Sequence, residues 1–325
     1  MKNLSGRKVL FFCPSFYNYR EMISEEMEVQ GAEVFSYDER PSNNTIFKIL
    51  LRLKAKIIIK NIIFNYYSKI TTSTYDEEIT DVFFINAEAV NYESLLLLKG
   101  RYKNAKFTLY MWDSLNNKSG LTDVLPMFDN VLSFDKKDCE YNERINFEPL
   151  FYGRNFEKED NNKEDINISF IGSIHSDRLM ILNKIKQRVD DGYFYLFSPS
   201  KIFTLIKFVQ YKIFSFESGF VKHKKIKASD VSNIFNRSHS VLDINHPKQT
   251  GLTMRTFEVL GAGKKLITTN ENIKEYQFYD ESRVHVLERS NINFNQLDSF
   301  LKSKNTKYAK LTEYRIDNWI KRVLK

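Results

Sequence analysis

The feature that most limits what this chain can fold into is a series of short apolar runs. Each is closed by polar or glycine residues, and helix-length stretches separate them. Lys8–Cys13 (KVLFFC), Glu33–Tyr37 (EVFSY), Asp81–Asn86 (DVFFIN), Lys106–Met111 (KFTLYM) and Asn130–Phe134 (NVLSF) occupy the first half. Ile166–Ile171, Tyr193–Phe197, Ser240–Ile244, Leu266–Thr268 and Val284–Leu287 occupy the second. Runs this short and apolar read as strands, and the helical stretches that alternate with them make the strands parallel. The fold class is therefore α/β. Helices are predicted over Arg20–Gln30, Ala89–Leu98, Lys137–Tyr141, Leu179–Val189, Val231–Arg237, Leu252–Leu260 and Leu311–Val323.

A length of 325 residues suits two ordinary domains. The polar run Asn155–Asp165 (NFEKEDNNKED) is the best boundary between them. This predicts an N-terminal domain over 1–153, a second over 165–305, and a terminal helix within 306–325. With 42% hydrophobic and 28% charged residues, the chain is a folded globular protein. Its net charge of +8 favours partners that carry phosphate: a nucleotide, a nucleic acid or an anionic lipid. Cations set among apolar helices, rather than among groove aromatics, argue against nucleic acid. Cys13 and Cys139 form no C-x-x-C pair, so neither zinc nor a disulfide framework is expected, and a reduced cytoplasmic setting fits. The apolar run before Pro14 reads as a first strand, not a signal peptide, and no apolar stretch is long enough to span a bilayer.

The turn after the first strand lacks G-x-G-x-x-G, and P-loop, G-x-S-x-G and H-E-x-x-H patterns are absent. Chemistry in open α/β sheets sits at the carboxyl ends of strands. In the first half this marks Ser15, Asn86, Asp113 and Asp135. Asp113 reads either as an acceptor-binding or catalytic carboxylate or as a helix N-cap. In the second half, a turn at Gly172-Ser173 lets backbone approach a ligand, and Arg178 follows it.

The densest cluster is Asp243–Asn270 (DINHPKQTGLTMRTFEVLGAGKKLITTN). A loop with Lys248, Gln249, Thr250 and Gly251 runs into a helix at Leu252 and Thr253. Helix-terminal amides with Thr hydroxyls and Arg255 nearby make an anion site. Glu258 lies one turn beyond Arg255. The two read either as phosphate and ribose ligands or as an exposed surface pair. His246 reads as a ligand contact or an ordinary loop histidine, and Lys264 as a contributor of positive potential or a solvated cation. Gly261 and Gly263 follow a helix and precede a strand, the wrong order for a P-loop, so they read as a helix stop.

Ile46–Ile70 holds six Lys or Arg residues and no acid among Ile, Leu, Phe and Tyr. It reads either as a basic amphipathic surface on an anionic membrane or as a helix packed on the sheet with a basic outer face. Lys201–Phe216 has the same character.

Asn245–Asn270 resembles the donor-binding segment of bacterial glycosyltransferases of the GT-B fold, in the spore-maturation-like and lipopolysaccharide or capsule biosynthesis group. Phe170–Arg178 looks like the opening of their second domain, and Tyr110–Ser114 and Val131–Asp135 like the end of their first. The resemblance implies two Rossmann-like domains facing across a cleft, acceptor on the first and nucleotide sugar on the second, with the C-terminal helix of 306–325 returning toward the first. Glu258 would hold the ribose. Arg255, Arg178 and the Thr250, Gly251 and Leu252 amides would face the diphosphate, beside Gly172, Lys248, Gln249 and Thr253. Asp113 would serve as base if the enzyme inverts. No cofactor or metal is implied, and the donor, of UDP or GDP type, is a substrate. The acceptor would be a saccharide or lipid-linked saccharide, with the protein on the inner face of the cytoplasmic membrane. A non-catalytic membrane protein with a degenerate transferase fold, or an epimerase-like nucleotide-sugar enzyme, are the alternatives.

Overall fold

A computed structural model describes residues 3–15, 18–52, 56–115, 121–158, 163–189, 191–211, 218–304 and 311–325. It divides into two units, Met1–Leu150 with Ile316–Lys325, and Phe151–Arg315.

Unit 1 opens with β1 (Lys8–Phe12), α1 (Tyr19–Val29) and β2 (Glu33–Tyr37). The helix stops at Gly31, whose φ of 98° is open to glycine at little cost. Next come α2 (Thr45–Arg52), α3 (Lys56–Ser73), β3 (Asp81–Ile85), α4 (Tyr92–Arg101), β4 (Lys106–Met111), β5 (Asn130–Ser133), α5 (Lys136–Tyr141) and β6 (Ile145–Phe147). All six strands are parallel, in the order β2-β1-β3-β4-β5-β6. The register sets Phe11 beside Phe83 and Phe12 beside Phe84. Their rings stack at 5.1 and 4.4 Å, and all four are fully buried. That burial explains why these strands read as unbroken apolar runs.

The Ile46–Ile70 stretch is two helices rather than one, with 53–55 outside the described residues. Its inner side (Phe47, Leu51, Ile59, Ile63, Tyr67, Ile70) packs in the unit 1 core. Its outer side exposes Ile46, Ile49, Ile58, Ile62 and Phe64. Among the described residues no helix is long and apolar enough to cross a membrane.

Unit 2 contains β7 (Ile166–Ser173), α6 (Arg178–Lys186), β8 (Gly192–Phe197), α7 (Lys201–Gln210), β9 (Val221–Lys222), α8 (Ala228–Arg237), β10 (Ser238–Asp243), α9 (Met254–Gly261), β11 (Lys265–Thr268), β12 (Val284–Val286) and α10 (Phe294–Lys302). Its sheet is also parallel, ordered β12-β11-β10-β7-β8-β9. Counted from β7, this is the doubly wound dinucleotide-binding order, and it reverses direction between β7 and β10. The polar run Asn155–Asp165, of which 159–162 lie outside the described residues, belongs to this unit. Phe156 packs on Phe235, the Lys158 amide donates to Gly261 O, and Asp165 pairs with Arg237.

The chain ends in α11 (Ile316–Val323), which belongs to unit 1. It starts five residues later than the sequence suggests. Tyr152 N donates to Tyr314 O, and a parallel bridge between Tyr152 and Arg315 holds the preceding segment out of the helix. Trp319 is fully buried against Tyr110 and Phe83, with ring centroids 5.0 and 6.3 Å away.

Candidate functional site

The carboxyl ends of β7, β10, β11 and β12 gather a connected set of polar groups, at the point where the strand order of unit 2 reverses. Asp243 closes β10 and is buried. It accepts the hydroxyls of Thr253 (2.6 Å) and Thr256 (2.9 Å), which bolt the first turn of α9 to the strand end. Thr253 is also the N-cap of α9, its hydroxyl accepting from Thr256 N. This moves the helix start from Leu252 to Met254 and leaves Leu252 as a buried loop residue.

The loop before α9 is held from behind. Asn270 Nδ2 donates to both Thr250 O and Gly251 O at 3.1 Å, and Asn272 Nδ2 donates to Thr250 O at the same distance. In a trans peptide the C=O and the following N–H point opposite ways. Two consecutive carbonyls fixed on asparagines therefore turn the Gly251 and Leu252 N–H groups together toward the other side. Beside the first turn of α9, this forms a small nest of donors aimed one way. The Gln249 amide closes a turn on His246 O (3.0 Å), and Lys248 N approaches His246 Nδ1 (3.2 Å).

Positive charge surrounds this nest. Arg178 spans the strand reversal, its Nε donating to Ile244 O (2.7 Å) and its Nη1 to Ser173 O (3.2 Å). It thus fixes two strand ends, and a side chain at Gly172 would press within 3.1 Å of its Nη1. Arg289 pairs with Asp177 at 2.8 Å and donates to Asn245 O at 2.6 Å. Asn245 in turn accepts from Thr269 and donates to Gln249 O. The rings of His175 and His246 lie 6.0 Å apart. Burial pushes His175 down to about 3, aided by the charge of Arg178. His246 is lowered by burial and by Lys248, Arg289 and Arg178. In both, burial is the largest cause, neighbouring cations add to it, and Asp177 opposes it.

Arg255 and Glu258 hold each other, with Nη1 to Oε2 at 2.6 Å. They are not an exposed surface pair: Glu258 is only 3% exposed, and the Arg255 guanidinium lies 4.6 Å from the Phe235 ring centroid. The Glu258 carboxylate is thus already engaged by Arg255. Lys264 and Lys265 lie at the opposite edge of the sheet, where β11 begins. Lys264 is buried on Glu164 (2.7 Å) and Asn236 O, so it is neither a solvated cation nor part of the nest. Lys265 donates to Ser303 and to the Phe300 carbonyl, and its burial pulls it down to about 8. Gly263, at φ 70°, completes the helix stop: its amide bonds to Leu260 O, and Lys264 N to Val259 O.

A groove of about 710 Å³ also lies at that opposite edge, lined by Glu164, Asp165, Tyr193, His239 and Lys302. Of its carboxylates, Glu164 pairs with Lys264 and His239, and Asp165 pairs with Arg237.

In unit 1, Asn86 (φ 52°) ends β3 and donates Nδ2 to Asp113 at 3.1 Å, while its Oδ1 accepts Trp112 N. Asp113 is therefore oriented from the neighbouring strand end. Asp135 accepts from Ser114 (2.5 Å) and caps α5. Glu39, fully buried after β2, accepts the Ala89 and Val90 amides on one oxygen. Burial raises its carboxyl to about 8. Among the described residues no group of three or more His, Cys, Asp or Glu side chains is placed to hold a metal ion.

Asn272 and Arg289 carry no motif of their own, and only the fold brings Arg289 to the loop.

No protein-family model matches the chain, and no curated protein matches it in sequence. Solved structures do match in fold. A sucrose-phosphate synthase from Thermosynechococcus elongatus aligns over 98% of this chain and 94% of its own, at 8% identity and TM-score 0.60. A UDP-GlcNAc 2-epimerase from Neisseria meningitidis, bound to UDP-GlcNAc, aligns over 98% of both chains at 11% identity and TM-score 0.53. The glycotransferase of kitacinnamycin aligns over 98% and 96%, at 9% identity and TM-score 0.50. The two parallel sheets and these matches establish that the chain has the GT-B glycosyltransferase fold.

Proposed function

We propose that the protein is a glycosyltransferase that moves a sugar from a nucleoside-diphosphate sugar to a saccharide or lipid-linked saccharide acceptor in cell-surface polysaccharide synthesis. The observation that carries the reading is the Thr250–Leu252 loop, whose carbonyls are fixed on Asn270 and Asn272 so that its amides converge beside α9. The leaving group is a nucleoside diphosphate, whose charge grows as the sugar C1–O bond breaks. Convergent amides and the field of Arg178, Arg289 and Lys248 stabilise that charge without reorganising. No metal is then required, and a chelator leaves the rate unchanged. Gly172 lets Phe170 and Arg178 close over the strand end, Gln249 and Thr253 shape the loop, and Glu258 takes the ribose when Arg255 releases it. In unit 1, Asp113 deprotonates the acceptor hydroxyl if the reaction inverts. The epimerase bound to UDP-GlcNAc has this fold and holds a nucleotide sugar, which supports the donor class.

The exposed isoleucines of α2 and α3, with exposed Lys60 and Lys69 beside them, seat unit 1 on the anionic inner face of the cytoplasmic membrane.

The test is thermal protection by UDP and GDP, followed by turnover of nucleotide sugars with and without saccharide acceptors. Protection is expected from one of the two, with Glu258→Ala weakening it by roughly tenfold or more while the fold is kept. No protection by any nucleoside diphosphate would overturn the donor site. Protection without turnover would favour a non-catalytic role, and sugar interconversion without release of the diphosphate would favour an epimerase.

A further inference from the structure

Helix α7 carries apolar residues on two sides. Phe203, Phe208 and Tyr211 pack against the unit 2 core, and buried Thr204 bonds to Ser198 and Ser200. The outer side holds Ile202, Leu205, Ile206 and Val209, which are 74, 64, 57 and 67% exposed. Their i, i+3, i+4, i+7 spacing puts them on one stripe. Charge normally occupies that side of a surface helix. Here the only charged residues of α7 are Lys201 and Lys207, and Lys207 lies along the rings of Phe203 and Tyr211.

Cations border the stripe. Ser200 caps α7, and β9 runs beside the residues just before it: Ser198 N donates to Lys222 O (2.8 Å), and His223 Nδ1 lies 3.1 Å from Ser198 O. Lys222, Lys224 and Lys225 are all exposed there. From Lys201 to Lys227 the sequence holds seven lysines and a single carboxylate, Glu217. A second copy docked through this same patch would set two lysine rims against each other. A bilayer has no such conflict, because its acyl region takes aliphatic side chains while anionic headgroups meet the lysines.

We infer that α7 is a membrane-inserting surface of unit 2, its aliphatic stripe lying in the headgroup–acyl boundary of an anionic bilayer with Lys222, Lys224 and Lys225 on the phosphates. The inference stands on this helix alone and depends neither on donor chemistry nor on α2 and α3. Because α7 follows the carboxyl end of β8, and its Lys207 contributes to the field on His175, seating it brings the candidate-site edge of unit 2 toward the headgroups.

Flotation of the full chain with vesicles tests this, using phosphatidylcholine alone and phosphatidylcholine with phosphatidylglycerol. Leu205→Gln with Ile206→Gln should lower binding to the anionic vesicles by about tenfold. Removing Lys222, Lys224 and Lys225 as glutamines should lower it roughly fivefold per lysine, and added salt should have the same sense. Ile58→Gln with Ile62→Gln is run in parallel to score α3 separately. Circular dichroism and thermal melting of each variant confirm folding. If the Leu205/Ile206 variant and the Lys222/Lys224/Lys225 variant both bind like the wild type, the inference fails, whatever the α3 variant does. If the Leu205/Ile206 variant instead turns a dimer into a monomer on sedimentation, with vesicle binding intact, the stripe is an interface between copies and the inference is overturned.

Discussion

Single residues in this chain are set mostly by what lies far from them in sequence. Glu39 shows the cost and the use of that. Its carboxyl has no solvent exposure and anchors the loop after β3 through the Ala89 and Val90 amides, while its second oxygen has no hydrogen-bond partner among the described residues. Burial raises its folded value to about 8, above the unfolded value of 4.5. The folded state therefore holds the proton more tightly, and stability falls as pH rises from about 4.5 to about 8. Glu39→Gln keeps the accepting oxygen without the ionisation. It should flatten the urea stability profile over that window and exceed the wild type at pH 9 and above. At the candidate site the same distance rule applies. Asp177 and Arg289 are 112 residues apart and meet only because β7 and β12 end on the same edge of one sheet. No local pattern announces such a pair. Arg255 and Glu258, three residues apart, were legible as neighbours, but their burial against Phe235 was not, because α8 supplies it.

At the level of elements, strands were easier to read than helices. Strands buried on both faces announce themselves by composition alone, as KVLFFC and DVFFIN do. Helix α10 does carry a local signal, an Asn293 cap and core residues Leu297, Phe300 and Leu301 at i, i+3, i+4, but over only nine residues. The two-residue strand β9 is too short to carry a periodicity. The loop–helix–glycine unit at Thr250–Gly263 was readable because its chemistry is local: an N-cap at one end and a left-handed glycine at the other. Gly263→Ala should cost about 1 kcal/mol through its positive φ alone. Measured by thermal unfolding, that loss should come with unchanged nucleotide protection, since the helix stop lies at the far end of α9 from the loop.

For the molecule as a whole, the doubled α/β plan was visible in the order of apolar runs, whereas the return of the last ten residues to unit 1 is implied by the resemblance alone and rests on packing that no local pattern announces. Trp319 fills a site between Phe83 and Tyr110, Arg322 grips Glu148 with two nitrogens, and Gln30 Nε2 donates to Asp317 O. Trp319→Ala should destabilise unit 1 by about 3–5 kcal/mol. Both tryptophans, Trp112 and Trp319, belong to unit 1, so the remaining Trp112 fluorescence reports that unit, while nucleotide protection reports unit 2. An earlier urea transition in fluorescence with nucleotide protection retained is the expected result.

The split make-up of unit 1 also fixes an order of events during synthesis. Residues 151–315 form a continuous unit that can fold as soon as it clears the ribosome. Unit 1, although its strands precede unit 2, lacks Trp319 between Phe83 and Tyr110 until α11 emerges. Its nascent form exposes an aromatic cavity for the whole time that unit 2 is being made, and the last helix acts as the closing step of the first unit begun.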